Sequence, residues 1–274
     1  MTELIAELGI NFNGDIEIAR QLIDIAISSG CHYVKFQKRD IDLVYTKEEL
    51  DTPRKSVWGT TTREQKQGLE FGLKEYEAID KYCKERGIKW FFSVWDINSL
   101  IFANLFDSPF IKIPSALITN RGLLDACKRL SDKPIILSTG MSTVDMVDDA
   151  IKILGKDRIH CIMHCTSTYP SKPEEMNLKC INTMKERYPW AKIGFSNHNQ
   201  GLTFMVAAAS LGAEMIEFHI TLDRAMPGSD QAASIEPEGV HRLCKWIRNL
   251  DKAQGDGIKK IYDSELPIIA KLRK

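Results

Sequence analysis

Lys35, in Tyr-Val-Lys-Phe-Gln, and Lys112, in Phe-Ile-Lys-Ile-Pro-Ser, each interrupt a short apolar run. A lysine in such a run is unfavourable to bury unless an anion meets it. For each, two readings stand side by side: an internal salt bridge, or a contact to an anionic ligand. Hydroxyl side chains recur at the ends of similar runs: Ser93, Ser115, Ser138 with Thr139, Thr166 with Ser167 and Tyr169, and Ser196. Two cations among several hydroxyls make the kind of cradle that holds a phosphate and a carboxylate. His198 and His219 close neighbouring runs, which puts their rings within reach of one metal ion; the alternative is a structural pair. Glu7 and Asp230 add hard oxygen donors, a set that favours Mn²⁺ or Mg²⁺ over a closed zinc cage. His32, His160 and His241 have no such company, and His164 is assigned to the core.

These residues need elements to position them. Short apolar runs predict strands at Leu4–Asn11, Tyr33–Gln37, Lys89–Trp95, Phe110–Ser115, Pro134–Gly140, Ile159–Cys165, Lys192–His198 and Met215–Thr221. Helix-period stretches lie between and after them: Glu17–Ser29, Lys74–Arg86, Ile97–Phe106, Arg121–Leu130, Thr143–Leu154, Leu178–Arg187, Leu202–Leu211 and Pro237–Leu250. Gly30, Gly87, Gly155 and Gly212 each follow a helix and precede a strand, as helix-ending glycines do. Eight strands alternating with eight helices predict a single-domain (β/α)8 barrel over residues 1–274, with a doubly wound sheet as the alternative. Barrel enzymes carry their chemistry at the C-terminal ends of the strands, where the polar residues above fall. The two-residue period of a strand also puts Lys35 and Gln37 on one side.

Composition narrows the class. Lys plus Arg and Asp plus Glu each number 37, so the formal net charge is zero, which argues against a broad basic face for nucleic acid. No window approaches the roughly 18 apolar residues of a membrane span. The start, Met-Thr-Glu-Leu-Ile-Ala-Glu, lacks the basic flank of a signal peptide. Seven cysteines, scattered and without a Cys-x-x-Cys pair, read as reduced thiols of a cytoplasmic protein. Neither a P-loop, nor a Gly-x-Gly-x-x-Gly turn, nor a Gly-x-Ser-x-Gly elbow is present. The one long connection, Lys38–Gly72, is of the length that often covers an active site. Near the C-terminus, Pro267 is expected to limit any helix.

In order along the chain, IAELGINFNGD, VKFQ, FIKIPS, ILSTGM, HCTSTYP, IGFSNH and EFHIT…PGSD resemble the barrel domain of the sialic acid (N-acetylneuraminate) synthases. The resemblance runs from about residue 3 to residue 265. It implies an enzyme that condenses phosphoenolpyruvate with an N-acetylmannosamine-like sugar aldehyde, releasing phosphate and a 2-keto-3-deoxy sugar acid. It further implies that Lys35, Ser93 and Lys112 hold the phosphoenolpyruvate carboxylate side. Lys112, Ser115, Ser138, Ser167, Tyr169 and Ser196 would hold its phosphate side. His198 and His219 would ligate a divalent Mn²⁺ or Mg²⁺, with Glu7, Gln37 and Asp230 beside the acceptor sugar. On the same resemblance, Glu7, Lys35 and Lys112 would be the catalytic set, with Glu7 handling protons.

The sequence departs from the family pattern in three places. Ser115 is followed by Ala116 and Leu117, where an acidic residue is common; Ser167 stands where Asn is frequent. The family continues into a small C-terminal antifreeze-like domain, and the expectation here is a barrel without it. The cap would then be a separate polypeptide, or lost, or not needed by a different acceptor. A homodimer is expected on the resemblance. Two other readings remain open from the residues: a non-catalytic barrel that binds phosphoenolpyruvate or a phosphorylated sugar, and an aldolase or isomerase using Lys35 or Lys112 as a Schiff base.

Overall fold

The chain's β-rich apolar runs become strands, and each is followed by an amphipathic helix that covers it. In the structure, a computed structural model that describes residues 1–273, ten strands form. They are β1 (Glu3–Gly9), β2 (Tyr33–Lys38), β3 (Pro53–Ser56), β4 (Gly59–Thr61), β5 (Lys89–Val94), β6 (Ile111–Ile113), β7 (Ile135–Ser138), β8 (Ile159–His164), β9 (Lys192–Asn197) and β10 (Met215–His219). Eight of them close into a barrel in the order β1-β10-β9-β8-β7-β6-β5-β2, every neighbouring pair parallel. Closure settles the barrel against the doubly wound sheet. Helices Ile16–Ser29, Leu73–Arg86, Ile97–Ala103, Arg121–Leu130, Val144–Leu154, Cys180–Arg187, Thr203–Ser210 and Pro237–Ala253 match the eight expected from periodicity. The first ends at Gly30, whose φ of 83° lets its N–H reach back to the carbonyls of Ala26 and Ile27.

Strand alternation sorts side chains into two apolar cores and one polar layer. Outward residues such as Leu4, Ala6, Leu8, Val34, Phe36 and Phe92 join the helices in the large outer core. Inward residues fill the barrel itself. The small inner cluster contains Ile5, Phe91, Phe110, Ile136, Met163 and Met215, with Tyr33 packed against it. Two residues further along β1, β2, β5 and β10, the inward positions are Glu7, Lys35, Ser93 and Glu217. Parallel barrel strands stack their inward side chains in layers. Here the lower layer is apolar and the next is charged.

The connection from Lys38 to Gly72 is built rather than open. It holds three short helices (Ile41–Val44, Lys47–Leu50 and Thr62–Leu69) and the antiparallel hairpin β3–β4. Phe71 stacks on Phe12 with ring centroids 4.3 Å apart, which ties the segment's end to the barrel. No residue of 39–72 lines the central cavity. Pro267 also departs from expectation. A helix does form there, Leu266–Leu272, because the proline falls in the first turn, where a missing N–H removes no intrahelical bond.

The inner cluster supports the charged layer directly. Phe91, fully buried, meets Tyr33 and Phe110 edge-on, with centroids 6.0 and 5.6 Å away. Phe91→Ala should lower the unfolding free energy by about 3–5 kcal/mol. Urea titration followed by circular dichroism measures this, and a loss below about 1 kcal/mol would show that the layer is not the support described.

Candidate active site

The polar layer is organised around one carboxylate. Glu217, on β10 and 3% exposed, reaches the barrel axis. Its Oε1 accepts from Lys35 Nζ at 2.9 Å, from Lys112 Nζ at 2.6 Å and from Ser196 Oγ at 3.1 Å. Its Oε2 is buried with no hydrogen-bond partner among the described residues. Lys35 also lies 3.2 Å from Glu7 Oε2, and Gln37 Nε2 donates to Glu7 Oε1 at 2.8 Å. Two lysines and two glutamates thus share one buried layer with no formal net charge. The internal salt bridge and the ligand cradle, separate readings in the sequence, here involve the same lysines.

Electrostatics separates the two cations. Burial works against a charged Lys35, but Glu217 and then Glu7 outweigh it, and its pKa is raised. Lys112 is also fully enclosed; burial dominates there, Glu217 opposes it, and the Lys35 charge adds to it, so its pKa is lowered. Burial alone would raise the Glu217 carboxyl. Lys112 and Lys35 overcome that and hold it well below the usual carboxylate range.

Around this layer lies a cavity of about 180 Å³ that takes in Lys35, Lys112, Glu217 and a ring of hydroxyls. Ser93, Ser115, Ser138, Ser167, Tyr169 and Ser196 line it, as do Gln37, His198 and His219. Ser115 Oγ accepts the Gly140 N–H at 3.0 Å. A Cβ at Gly140 would stand 2.1 Å from Ser167 Oγ and 2.9 Å from Ser115 Oγ, so the close approach requires glycine. Ser167 Oγ is buried and unpartnered, a hydroxyl left available. Burial, then the Asp230 and Glu7 carboxylates, raises the Tyr169 phenol well above its usual value, so Tyr169 remains a hydrogen-bond donor.

The two histidines share one end of the cavity, their centroids 6.1 Å apart, with the Tyr169 ring packed at a tilt against His198, centroids 4.2 Å apart. His198 Nδ1 lies 2.6 Å from the Thr166 carbonyl, which fixes the proton on Nδ1 and leaves Nε2 as a lone-pair donor. Burial and then His219 pull the His198 pKa down to about 4. Its ring is therefore neutral near pH 7. His219 Nδ1 is buried without a hydrogen-bond partner, 4.0 Å from Asp230 Oδ2, and its Nε2 is 3.3 Å from the Tyr169 hydroxyl. A neutral imidazole beside an orphaned ring nitrogen and a carboxylate fits a divalent ion with open positions. Among the described residues no three His, Cys, Asp or Glu side chains form a complete cage, so any ion here would keep sites for water or substrate.

Residues 22–259 match the NeuB family. The N-acetylneuraminate-9-phosphate synthase of Homo sapiens is 33% identical over 274 residues, covering 99% of this chain and 76% of that protein. The chain belongs to the NeuB family. Another relative, the N,N'-diacetyllegionaminic acid synthase of Campylobacter jejuni, is 36% identical over 282 residues, covering 100% of this chain and 83% of that one. The crystal structure of N-acetylneuraminic acid synthetase from Leptospira borgpetersenii, in complex with citrate, superimposes with a TM-score of 0.85 at 28% identity. That match covers 100% of this chain and 93% of the other. The resemblance read from the sequence is borne out, and so is the barrel.

In this NeuB-family barrel the expected residues come together. Lys35, Gln37, Ser93, Lys112, Ser115, Ser138, Ser167, Tyr169, Ser196, His198 and His219 meet at one cavity. Glu7 is fully buried behind Lys35 and Gln37, and Asp230 flanks His219. His164 is half-buried rather than core, its Nε2 against the Met176 carbonyl at 2.8 Å. Sequence reasoning assigned Glu217 no role. The signal was present: a carboxylate inside the apolar run Met-Ile-Glu-Phe-His, two positions before His219. Met141 was also missed; it lines the cavity with φ of 57°, a region non-glycine residues seldom adopt.

Glu217→Gln should leave two buried ammonium groups short of counter-charge and lower the unfolding free energy by about 3–5 kcal/mol at pH 7. Because the folded carboxyl titrates below its unfolded value, folding releases protons in acid. The contribution is complete above the ordinary glutamate pKa of about 4.3 and is lost as pH falls towards the lower folded value. Denaturant titrations between pH 7 and pH 3 should show a shallower acid loss for Glu217→Gln than for wild type. Identical slopes would contradict the assignment.

Proposed function

We propose that this NeuB-family chain condenses phosphoenolpyruvate with an N-acetylmannosamine-like sugar aldehyde, yielding a sialic-acid-like 2-keto-3-deoxy sugar acid and inorganic phosphate. The observation that carries the reading is the pair of buried lysines held on one carboxylate inside a ring of hydroxyls. Phosphoenolpyruvate presents a carboxylate and a phosphate, and Lys35 and Lys112 are the cations placed to meet them. Neither lysine needs to travel far, since each already points into the cavity from Glu217.

The roles follow from position. Lys35 and Ser93 face the carboxylate side. Lys112, Ser115, Ser138, Ser167, Tyr169 and Ser196 face the phosphate side, and their hydroxyls and ammonium stabilise charge as phosphate leaves. The enol carbon forms a bond to the aldehyde carbon, water adds at the carbon bearing the phosphate, and the C–O bond to phosphate breaks. Glu7, held by Lys35 and Gln37, is the group to move a proton at the acceptor end. His198 and His219 would hold Mn²⁺ or Mg²⁺, which when bound supplies Lewis-acid polarisation of a carbonyl. Asp230 stands beside His219, where an acceptor hydroxyl would be received. We further propose a homodimer working in the cytoplasm.

Phosphate release from phosphoenolpyruvate, assayed with Mn²⁺ across a panel of aldoses, tests this. Release should depend on one class of acceptor and stop with EDTA. Lys112→Ala should slow it by at least about 100-fold. Equal release with and without aldose, or none with any acceptor despite phosphoenolpyruvate binding, would refute the synthase and favour a binding barrel. Borohydride trapping of a substrate on Lys112 would instead favour the Schiff-base reading.

A further inference from the structure

The polar chain that ends on Glu7 does not begin at Gln37. A glutamine side chain offers one carbonyl oxygen and one NH₂ group, and the neighbours of Gln37 make opposite demands on them. The Glu7 carboxylate accepts; it receives Gln37 Nε2 at 2.8 Å. The Arg39 guanidinium donates; its Nη2 gives a hydrogen bond to Gln37 Oε1. Only one orientation of the amide satisfies both partners. Without Arg39 the carbonyl end of the amide loses its donor, and only Glu7 is left to hold the group in place.

Arg39 is held as a fixed part. Its side chain is 10% exposed and lies over Trp95, 4.4 Å from the ring centre, and Trp95 lines the cavity. Glu70 anchors it from behind: Oε1 lies 3.7 Å from Nη1, and Oε2 accepts the Arg39 backbone N–H at 3.4 Å. The same Oε2 takes Lys38 Nζ at 3.1 Å. Glu70 closes the long connection, next to the Phe71 that stacks on Phe12. Arg39 Nε is itself buried without a hydrogen-bond partner, an arrangement that costs stability and so argues for a role other than stability.

We propose that Arg39 is a positioning residue for the condensation: it fixes the Gln37 amide so that Glu7 receives a hydrogen bond, and Glu70 holds Arg39 in that pose. The 38–72 segment then acts on the site from behind, through Glu70, Arg39 and Gln37 in turn. This rests on the role given to Glu7 above.

Steady-state kinetics of the Mn²⁺-loaded enzyme, with Arg39→Ala, Gln37→Ala and the double variant, test the inference. Each single variant should lower kcat about tenfold or more, while KM for phosphoenolpyruvate stays within about twofold, because the lysines and hydroxyls are untouched. The double variant should be no slower than Gln37→Ala alone, since Arg39 acts through Gln37. Arg39→Lys, also a pure donor, should recover part of the loss. Multiplying losses, or an unchanged kcat in Arg39→Ala, would overturn the proposal. A readout independent of turnover is the side-chain NH₂ signal of Gln37 in ¹⁵N-glutamine spectra, assigned by its disappearance in Gln37→Ala. Slow hydrogen exchange in wild type that is lost in Arg39→Ala supports the proposal; retained protection overturns it. Should wild type condense no aldehyde, the proposed function fails while this comparison still decides the role of Arg39.

Discussion

A single carboxylate oxygen inside the barrel, Glu217 Oε1, holds two ammonium groups and a hydroxyl, and the upper half of the molecule depends on it. Buried lysines without a counter-charge would not stay charged, and a charged layer without lysines could not greet an anionic substrate. Glu217 answers both demands at once: it favours the charged form of Lys35 and of Lys112 against burial, and it draws the two side chains to one oxygen. Glu7 completes the balance from the opposite strand neighbour, β1, whose Glu7 is in register with His219 of β10. Cations stored on an internal anion can be transferred to a better one when it arrives.

That arrangement is possible because the fold separates tasks by layer. Phe91, Tyr33 and Phe110 fill the barrel below, which excludes water and leaves the ion pairs in a medium where they are strong. Hydroxyls from five strands or strand ends stand above and line the cavity. The histidines lie to one side, and His198 is kept neutral by burial and by its neighbour. Polarity therefore changes across the cavity, from a wall of paired lysines and hydroxyls to an imidazole and carboxylate wall. Such an asymmetry suits the condensation proposed above, whose two reactants differ in charge.

Much of this was legible in the residues. Period-two alternation and the helix-ending glycines carried the barrel, and charged residues inside apolar runs marked Lys35 and Lys112. Pairing was not legible. Lys35 and Lys112 are 182 and 105 residues from Glu217 in the chain, and only barrel closure brings them to one oxygen. The same limit hid Arg39, whose neighbour Gln37 was recognised but whose partner Glu70 lies across a long connection. That connection itself gave no periodic signal, because its helices and strands are only three to eight residues long and largely exposed. Pro267 misled for a different reason: a proline forbids a helix interior but suits its first turn.

On the proposed reading, Lys35 and Lys112 pass from Glu217 to phosphoenolpyruvate when it binds. A crystal structure of the protein with bound phosphoenolpyruvate addresses it most directly. The phosphate should lie among Ser115, Ser138 and Ser196, the carboxylate near Ser93, and both lysine Nζ atoms should turn from Glu217 Oε1 towards the ligand. Phosphoenolpyruvate bound elsewhere, or bound in the cavity with both lysines still on Glu217 and no contact to either, would contradict it.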